Sequence, residues 1–331
     1  MHGERNRQTV LVLGANGRLG RVAAQEFERR GWHVRGLVRP GRGGSTSAGV
    51  EVIEGDARSP HDVTAAAEGA DVLFNAINPP YTAWDPATFE VAEAVIAAAR
   101  VTGAVHLFPG NLYNYGWPVP EAIDECQPQR PTTRKGAIRV EAERRYREAA
   151  DLYGVRTILL RAGDFFGGSG RGSWFDLVIA PKAAEGKVTY PGPLTVPHAW
   201  AYLPDLAATF ERLARKRDEF GRFETFHFPG HTVSGDDLVA AVQGAVGRRV
   251  TVARMPWRMI RLGAPFVPMW REIAELAYLW HVPHRLEGGK LDCAIGDVPY
   301  TPFDRAVRDS LDALGIETRP AQPASPRLAA V

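Results

Sequence analysis

Cysteine is almost missing from this chain: Cys126 and Cys293 stand far apart, with no further Cys or His at ligand spacing. That excludes a disulfide framework and a zinc site, and no metal ligand is assigned. Charge of one sign is missing as well. Lys plus Arg number 40 against 38 for Asp plus Glu, so the basic footprint that nucleic-acid binding needs is not there. A long apolar run is also lacking. The most aromatic stretch, residues 255–284, is broken by Arg258, Arg261, Arg271, Glu272 and Glu275 and by Pro265, Pro268 and Pro283. That rules out an ordinary membrane-spanning helix and leaves the stretch to line a pocket or meet a partner. Residues 1–8 are polar, without the apolar core of a secretory signal, and with the scarce cysteine this makes a cytoplasmic location the expectation.

What is abundant is glycine, 34 residues, and its most informative placement is near the start. The β-type run 9–13 leads into Gly14-Ala15-Asn16-Gly17-Arg18-Leu19-Gly20, followed by a stretch with Val22, Ala23 and Phe27 at helical spacing. Gly14 permits a tight turn, Gly17 lets the backbone approach a pyrophosphate, and Gly20 lets helix and strand lie close. The anion then rests on the free N–H groups of the helix, with Asn16, Arg18 and Leu19 around it. After the second β-type run, 32–38, stands Arg39, where an NAD site would offer a carboxylate to the ribose 2′-hydroxyl. Arginine there favours a 2′-phosphate, and Arg18 and Arg42 are candidates to join it, so NADP(H) is the expected cofactor. The competing reading makes Arg39 and Arg42 solvated loop cations.

Further β-type runs at 50–53, 72–76, 105–108 and 157–160 alternate with helical segments. The alternation predicts an α/β fold: a Rossmann-type doubly wound parallel sheet with a smaller C-terminal substrate subdomain. Residues 8–165 are expected to form the NADP-binding core. Residues 166–315 would be mainly substrate-side, with segments near 195–230 returning to the core, and 316–331 a mobile tail poor in buriable side chains. The Gly- and Ser-rich loop 40–49 lies beside the expected adenosine phosphate and is expected to order around it.

The glycine turn, Arg39, Gly55-Asp56, Asn75-Ala76-Ile77-Asn78, the run 108–116 (Phe-Pro-Gly-Asn-Leu-Tyr-Asn-Tyr-Gly), the run 160–167 and Tyr202-Leu203-Pro204-Asp205 together resemble the extended short-chain dehydrogenase/reductases, which include NAD(P)-dependent epimerase/dehydratase-like proteins. The resemblance reaches from the first strand to about residue 314. It implies that Asp56, with Ala57 beside it, lies near the adenine, that Ala76, Ile77 and Asn78 flank the ribose and pyrophosphate, and that Ala162 and Gly163 face the nicotinamide. It also implies a homodimer through residues 133–150. The departure is informative. Where the family carries Ser and a Tyr-x-x-x-Lys pair, this chain aligns Asn111, Lys135 and Arg139, which resembles an atypical branch lacking the proton-donating tyrosine.

On a helix, Lys135 and Arg139 share a face. A reading consistent with this places Arg139 on the nicotinamide ribose and Lys135 toward a reacting carbonyl, its pKa lowered by the neighbouring cation. A solvated basic surface is the other reading. Asn111 can only position or polarise a substrate oxygen. Tyr113 is the next candidate for the proton, with cationic neighbours expected to lower its pKa, and Asp164 and His198 are further candidates. Gly136 implies close approach by cofactor or backbone, since it costs a helix about 0.5–1 kcal/mol. Asp205 reads as the N-cap of the following helix. Tyr81, Trp84, Phe165, Phe166, Trp174 and Trp200 fall in expected rim loops and suggest a small apolar or aromatic substrate. The expected activity is NADPH-dependent reduction of a carbonyl, or of an imine or conjugated alkene. The alternatives are a catalytically altered NADP(H)-binding sensor or scaffold, and a redox-neutral epimerase, dehydratase or lyase that retains its nucleotide.

Overall fold

The apolar runs read from the sequence become the strands of one parallel sheet. In the computed structural model, which describes residues 7–43 and 46–319, these are β1 (Thr9–Leu13), β2 (His33–Val38), β3 (Val50–Glu54), β4 (Val72–Asn75) and β5 (Val105–Gly110). A short β6 (Ala122–Ile123) intervenes before β7 (Thr157–Arg161), and β11 (Phe223–His227) completes the main sheet. The order is β11-β7-β5-β4-β1-β2-β3, with every pairing parallel. β1, β4 and β7 are buried along their whole length because helices cover both faces. On one face lie α1 (Arg18–Arg29), α5 (Leu203–Arg215) and α9 (Gly289–Ile295), with Phe27, Phe74 and Phe210 in edge contact beneath them. On the other lie α2 (Pro60–Ala66), α3 (Trp84–Thr102) and α4 (Arg134–Tyr153). This is the doubly wound α/β architecture expected from the alternation.

The chain runs outward through β1, β2 and β3, then returns past β1 and builds β4, β5, β7 and β11 in the opposite direction. The reversal between β1 and β4 opens a crevice at the strand carboxyl ends, where ligands of such sheets lie.

The smaller part of the molecule has its own core. β8 (Asp164–Phe166), β10 (His198–Tyr202) and β12 (His231–Val233) form a three-stranded sheet. β9 (Lys187–Tyr190) pairs with β13 (Thr251–Arg254), and β6 with β14 (Arg285–Leu286). Around them pack α6 (Gly235–Val246), α7 (Trp257–Gly263), α8 (Pro268–Ala274) and α10 (Phe303–Ala313), enclosing Phe166, Phe175, Trp200 and Trp280. Phe166 and Trp200, expected in rim loops, are core residues, because β8 and β10 turn those side chains inward.

Two local expectations change. Asp205 is not the N-cap of α5, which begins two residues earlier at Leu203; its carboxylate instead accepts from the Thr301 N–H at 2.6 Å and hydroxyl at 2.8 Å. The first tail residues are tied down: Ile316 is buried, and the Arg319 N–H bonds the Ala245 carbonyl at 2.8 Å. The rest of the expected tail, residues 320–331, lies outside the described residues, as do residues 44 and 45 of the glycine-rich loop.

Candidate active site

The crevice at the β1/β4 reversal is a cavity of about 1190 Å³ running from the end of β2 to the face of α8. At its head, Gly14 adopts φ +77° and α1 begins at Arg18 behind Gly17, with no side chain capping its N-terminus. The first backbone bond of that helix is Arg21 N–H to the Gly17 carbonyl, 2.9 Å. The N–H groups of Arg18, Leu19 and Gly20 therefore precede the helical ladder at its positive end. A Cβ on Gly20 would collide with the Gly14 carbonyl, so Gly20 is a spacer under the turn and does not itself line the cavity. Asn16 ties the 40–49 loop to the turn: it donates to the Arg42 carbonyl at 2.7 Å and accepts from the Thr46 hydroxyl at 3.0 Å.

The end of the cavity beside β2 is basic. Arg39, Arg42 and Arg58 line it, and the nearby Asp56 carboxylate is paired with Arg58 at 2.7 Å, which holds its pKa below the usual carboxylate range. Ala57, Ala76, Ile77 and Asn78 line the middle. Arg18 does not join this cluster. Its guanidinium is engaged by the Asp176 carboxylate at 3.1 Å and the Gly167 carbonyl at 2.7 Å, so it ties the turn to the smaller part of the molecule. Ala162 is buried in the sheet core and Gly163 alone of that pair faces the cavity.

At the far end stand Tyr81, Trp84, Asn111, Tyr113, Asp164, Phe165 and Trp174. The Tyr81 and Tyr113 hydroxyls are 2.9 Å apart. Burial pushes Tyr81 up to about 12 and Tyr113 well above its ordinary value, so the expected lowering of Tyr113 is reversed: desolvation outweighs the cation nearby. Asn111 is fixed from two sides, its Oδ1 accepting from the Tyr113 N–H at 3.1 Å and its carbonyl from Arg161 at 2.6 Å. Its amide Nδ2 is left to donate.

Lys135 is placed otherwise than the sequence suggested. It is 1% exposed, does not line the cavity, and its ammonium is gripped by Glu272 and, at 3.1 Å, by Glu275. These two carboxylates come from α8 and the turn after it, whose position no local pattern around residue 135 reveals. The acidic pair inside an otherwise aromatic stretch was the available signal. Gly136 is explained by backbone, since a Cβ there would meet the Tyr113 carbonyl.

Arg139 does face the cavity. Its guanidinium lies over the Trp84 ring at 4.6 Å and the Phe108 ring at 5.4 Å, its Nε is buried without a hydrogen-bond partner, and burial pulls it below its ordinary value. The neighbouring Glu143 is already committed to Arg161 at 2.8 Å. Asp164 accepts from His198 Nε2 at 2.8 Å, and His198 is buried against Trp280 with ring centroids 4.2 Å apart. Sequence reasoning missed Leu177 and Val178, apolar cavity walls from a π-helical turn, while Met269 and Ile273 of α8 come from the aromatic stretch left to line a pocket. Among the described residues, no group of three or more His, Cys, Asp or Glu gathers as a metal site.

The turn, the uncapped helix and the reversal point fit a dinucleotide, and the sequence matches the NAD(P)H-binding family over residues 14–153. Residues 14–153 are an NAD(P)H-binding domain. Beyond that domain, the whole chain shares its fold with solved sugar-nucleotide epimerases. Similar structures include UDP-glucose 4-epimerase from Brucella ovis in complex with NAD, 18% identical, with 94% of this chain and 100% of that chain covered and a TM-score of 0.75. UDP-glucose 4-epimerase from Thermotoga maritima with UDP-glucose is 13% identical, with 92% and 98% covered and a TM-score of 0.74. The enzyme WbmH of Bordetella bronchiseptica in complex with NAD+ is 16% identical, with 93% and 98% covered and a TM-score of 0.71. No curated protein matches the sequence. The NAD(P)H-binding domain lines one half of the cavity, and the smaller part, with α8, supplies its far wall.

Proposed function

We propose that the chain is an NADPH-dependent reductase of a carbonyl, or of an imine or conjugated alkene, in a small apolar or aromatic substrate. The observation that carries this reading is the Tyr81–Tyr113 hydroxyl pair opening on the cavity beside the Arg139 guanidinium, whose Nε has no hydrogen-bond partner among the described residues. Bound NADPH supplies hydride from nicotinamide C4. Arg39 would meet the 2′-phosphate of such a cofactor, and the first-turn N–H groups of α1 would hold its pyrophosphate. Asn111 Nδ2 donates to the substrate oxygen and orients the carbonyl carbon. As negative charge develops on that oxygen, Tyr113 gives up its phenolic proton. Burial keeps Tyr113 protonated until then, and Arg139 stabilises the phenolate that results. Tyr81 returns a proton across the 2.9 Å hydrogen bond and is itself reprotonated from water.

In this reading Lys135 is a buried brace rather than the proton donor. Asp164, held by His198, is the second acid–base candidate. The aromatic wall of Tyr81, Trp84, Phe165 and Trp174 supports an apolar substrate. A cytoplasmic homodimer through α4 belongs to the same proposal. Exposed Leu152 and Tyr153 at the end of that helix support the pairing, and sedimentation of the protein with and without those side chains checks it.

The test is NADPH oxidation across a panel of apolar aldehydes, ketones, imines and enones. Tyr113→Phe is expected to lower kcat by about 10²–10⁴-fold with NADPH affinity kept. Unchanged turnover in that variant, or tight NADPH binding without oxidation across the panel, would overturn the reading, the latter in favour of a nucleotide-binding sensor. The likeness to sugar-nucleotide epimerases motivates a second reading, redox-neutral turnover, which shows itself as product formed without net NADPH loss.

A further inference from the structure

Of the large apolar side chains exposed on the described surface, five fall within eleven consecutive positions. They are Met259 (54%), Leu262 (79%), Phe266 (85%), Val267 (36%) and Met269 (43%). Met259 and Leu262 are three apart on α7 and share its outer face, while Trp257 and Ile260 turn inward to the core. Phe266 and Val267 sit in the connection to α8, fixed by their N–H groups on the Gly263 carbonyl at 3.0 and 2.9 Å. They are therefore displayed by an ordered turn.

The charge around this patch has one sign. Residues 254–271 contain Arg254, Arg258, Arg261 and Arg271 and no Asp or Glu. All four arginines are exposed, and among the described residues Arg254, Arg258 and Arg261 have no ion-pair partner. The next carboxylates along the chain, Glu272 and Glu275, pair with Lys135, and Glu272 also with Arg271 at 3.6 Å. Exposed large apolar groups interleaved with unpaired arginines are the makeup of a surface that enters a lipid interface, with the apolar groups among acyl chains and the cations at anionic headgroups.

We propose that the α7–α8 hairpin docks the protein on an anionic membrane surface. It does so peripherally, since no described helix is long and apolar enough to cross a membrane. Charge complementarity selects anionic lipid over a second copy of this chain, which would oppose arginine to arginine across a two-fold axis. The hairpin also reaches the active-site cavity: Met269 and Ile273 of α8 line it next to Tyr81. Docking therefore sets the mouth of an apolar cavity against the bilayer. That the bilayer delivers the substrate rests on the reductase reading; the docking itself does not.

The experiment is co-sedimentation of the full chain with vesicles of phosphatidylcholine alone or mixed with phosphatidylglycerol. The expected result is pelleting with the mixed vesicles only, weakened by salt. The paired change Leu262→Asp and Phe266→Asp is expected to cut the bound fraction about tenfold or more. Arg258→Gln with Arg261→Gln is expected to weaken binding and flatten its salt dependence. NADPH binding, measured by fluorescence on the same samples, stays unchanged in both variants because neither pair touches the cavity, which separates loss of docking from loss of fold. Wild-type protein remaining in the supernatant with anionic vesicles overturns the proposal. So does undiminished pelleting of the Leu262/Phe266 variant, or a dimer-to-monomer change in that variant, which would assign the face to self-association. NADPH turnover is scored separately, so docking without reductase activity leaves the membrane surface standing and removes only the substrate route.

Discussion

Lys135 and Arg139, one helical turn apart, show how differently two buried cations are treated. Lys135 is neutralised by two carboxylates, so Lys135→Met should strand Glu272 and Glu275 and lower stability by roughly 3 kcal/mol in urea unfolding. The pH profile of turnover should keep its shape in that variant; a lost basic or acidic limb would restore Lys135 as the proton donor. Arg139 Nε has no hydrogen-bond partner among the described residues, and burial of the guanidinium is unfavourable until an anion or a ribose meets it. Arg139→Met should therefore leave the nucleotide-free protein as stable as before or more so, while weakening NADPH binding in titrations. Arg39→Ala should raise the NADPH Kd about tenfold or more and leave NADH nearly unaffected, since a charged hydrogen bond is worth about 1.5–3 kcal/mol.

At the scale of elements, α1 and α4 are positioned by glycines that propensity alone would count as defects. Gly136→Ala adds a good helix former, worth about 1 kcal/mol in isolation, yet should destabilise the protein, because the new methyl meets the Tyr113 carbonyl. The same shift displaces Tyr113, so kcat should fall with it; thermal melting and turnover of this one variant check both. The parallel strands were legible because long apolar β-type runs alternate with helical spacing and each such run needs cover on both faces. The lane from Gly14 to Asn78 was legible because its residues sit at successive strand ends. The partners of Lys135, Asp205 and Arg18 were not, since they come from α8, from Thr301 and from Asp176 and Gly167.

For the molecule as a whole, buried histidines set the acid limit. Burial depresses His106 and His284 to about 3, and His227 and His231 to about 4, against an ordinary 6.5. Below about pH 6.5 the unfolded chain binds protons that the folded chain refuses. Their contribution to stability is therefore complete above 6.5 and is lost as pH falls toward 4 and then 3. The unfolding free energy from urea titration, and with it the midpoint, should drop steadily between about pH 6.5 and about pH 4, the free energy by up to about 1.4 kcal/mol per pH unit for each histidine still neutral in the fold. A midpoint flat across that window would show these rings protonated in the native state. NADPH at about 100 times its Kd should add about 2.7 kcal/mol, visible as a raised Tm.

The sequence by itself determined the parallel sheet, the glycine turn, the basic residue after β2 and the identity of most cavity-lining residues between Gly14 and Asn78. Those features depend on the periodicity of one strand or the spacing within one loop, and such local constraints survive without knowledge of the rest. Only the tertiary structure decided which ionisable groups are free to act. Lys135 and Arg139 look alike on α4, and their difference comes from α8, more than 130 positions later, bringing carboxylates to the first and none to the second. The field at a buried charge is set by whatever packs against it, and for this site those groups come from segments far away in the chain.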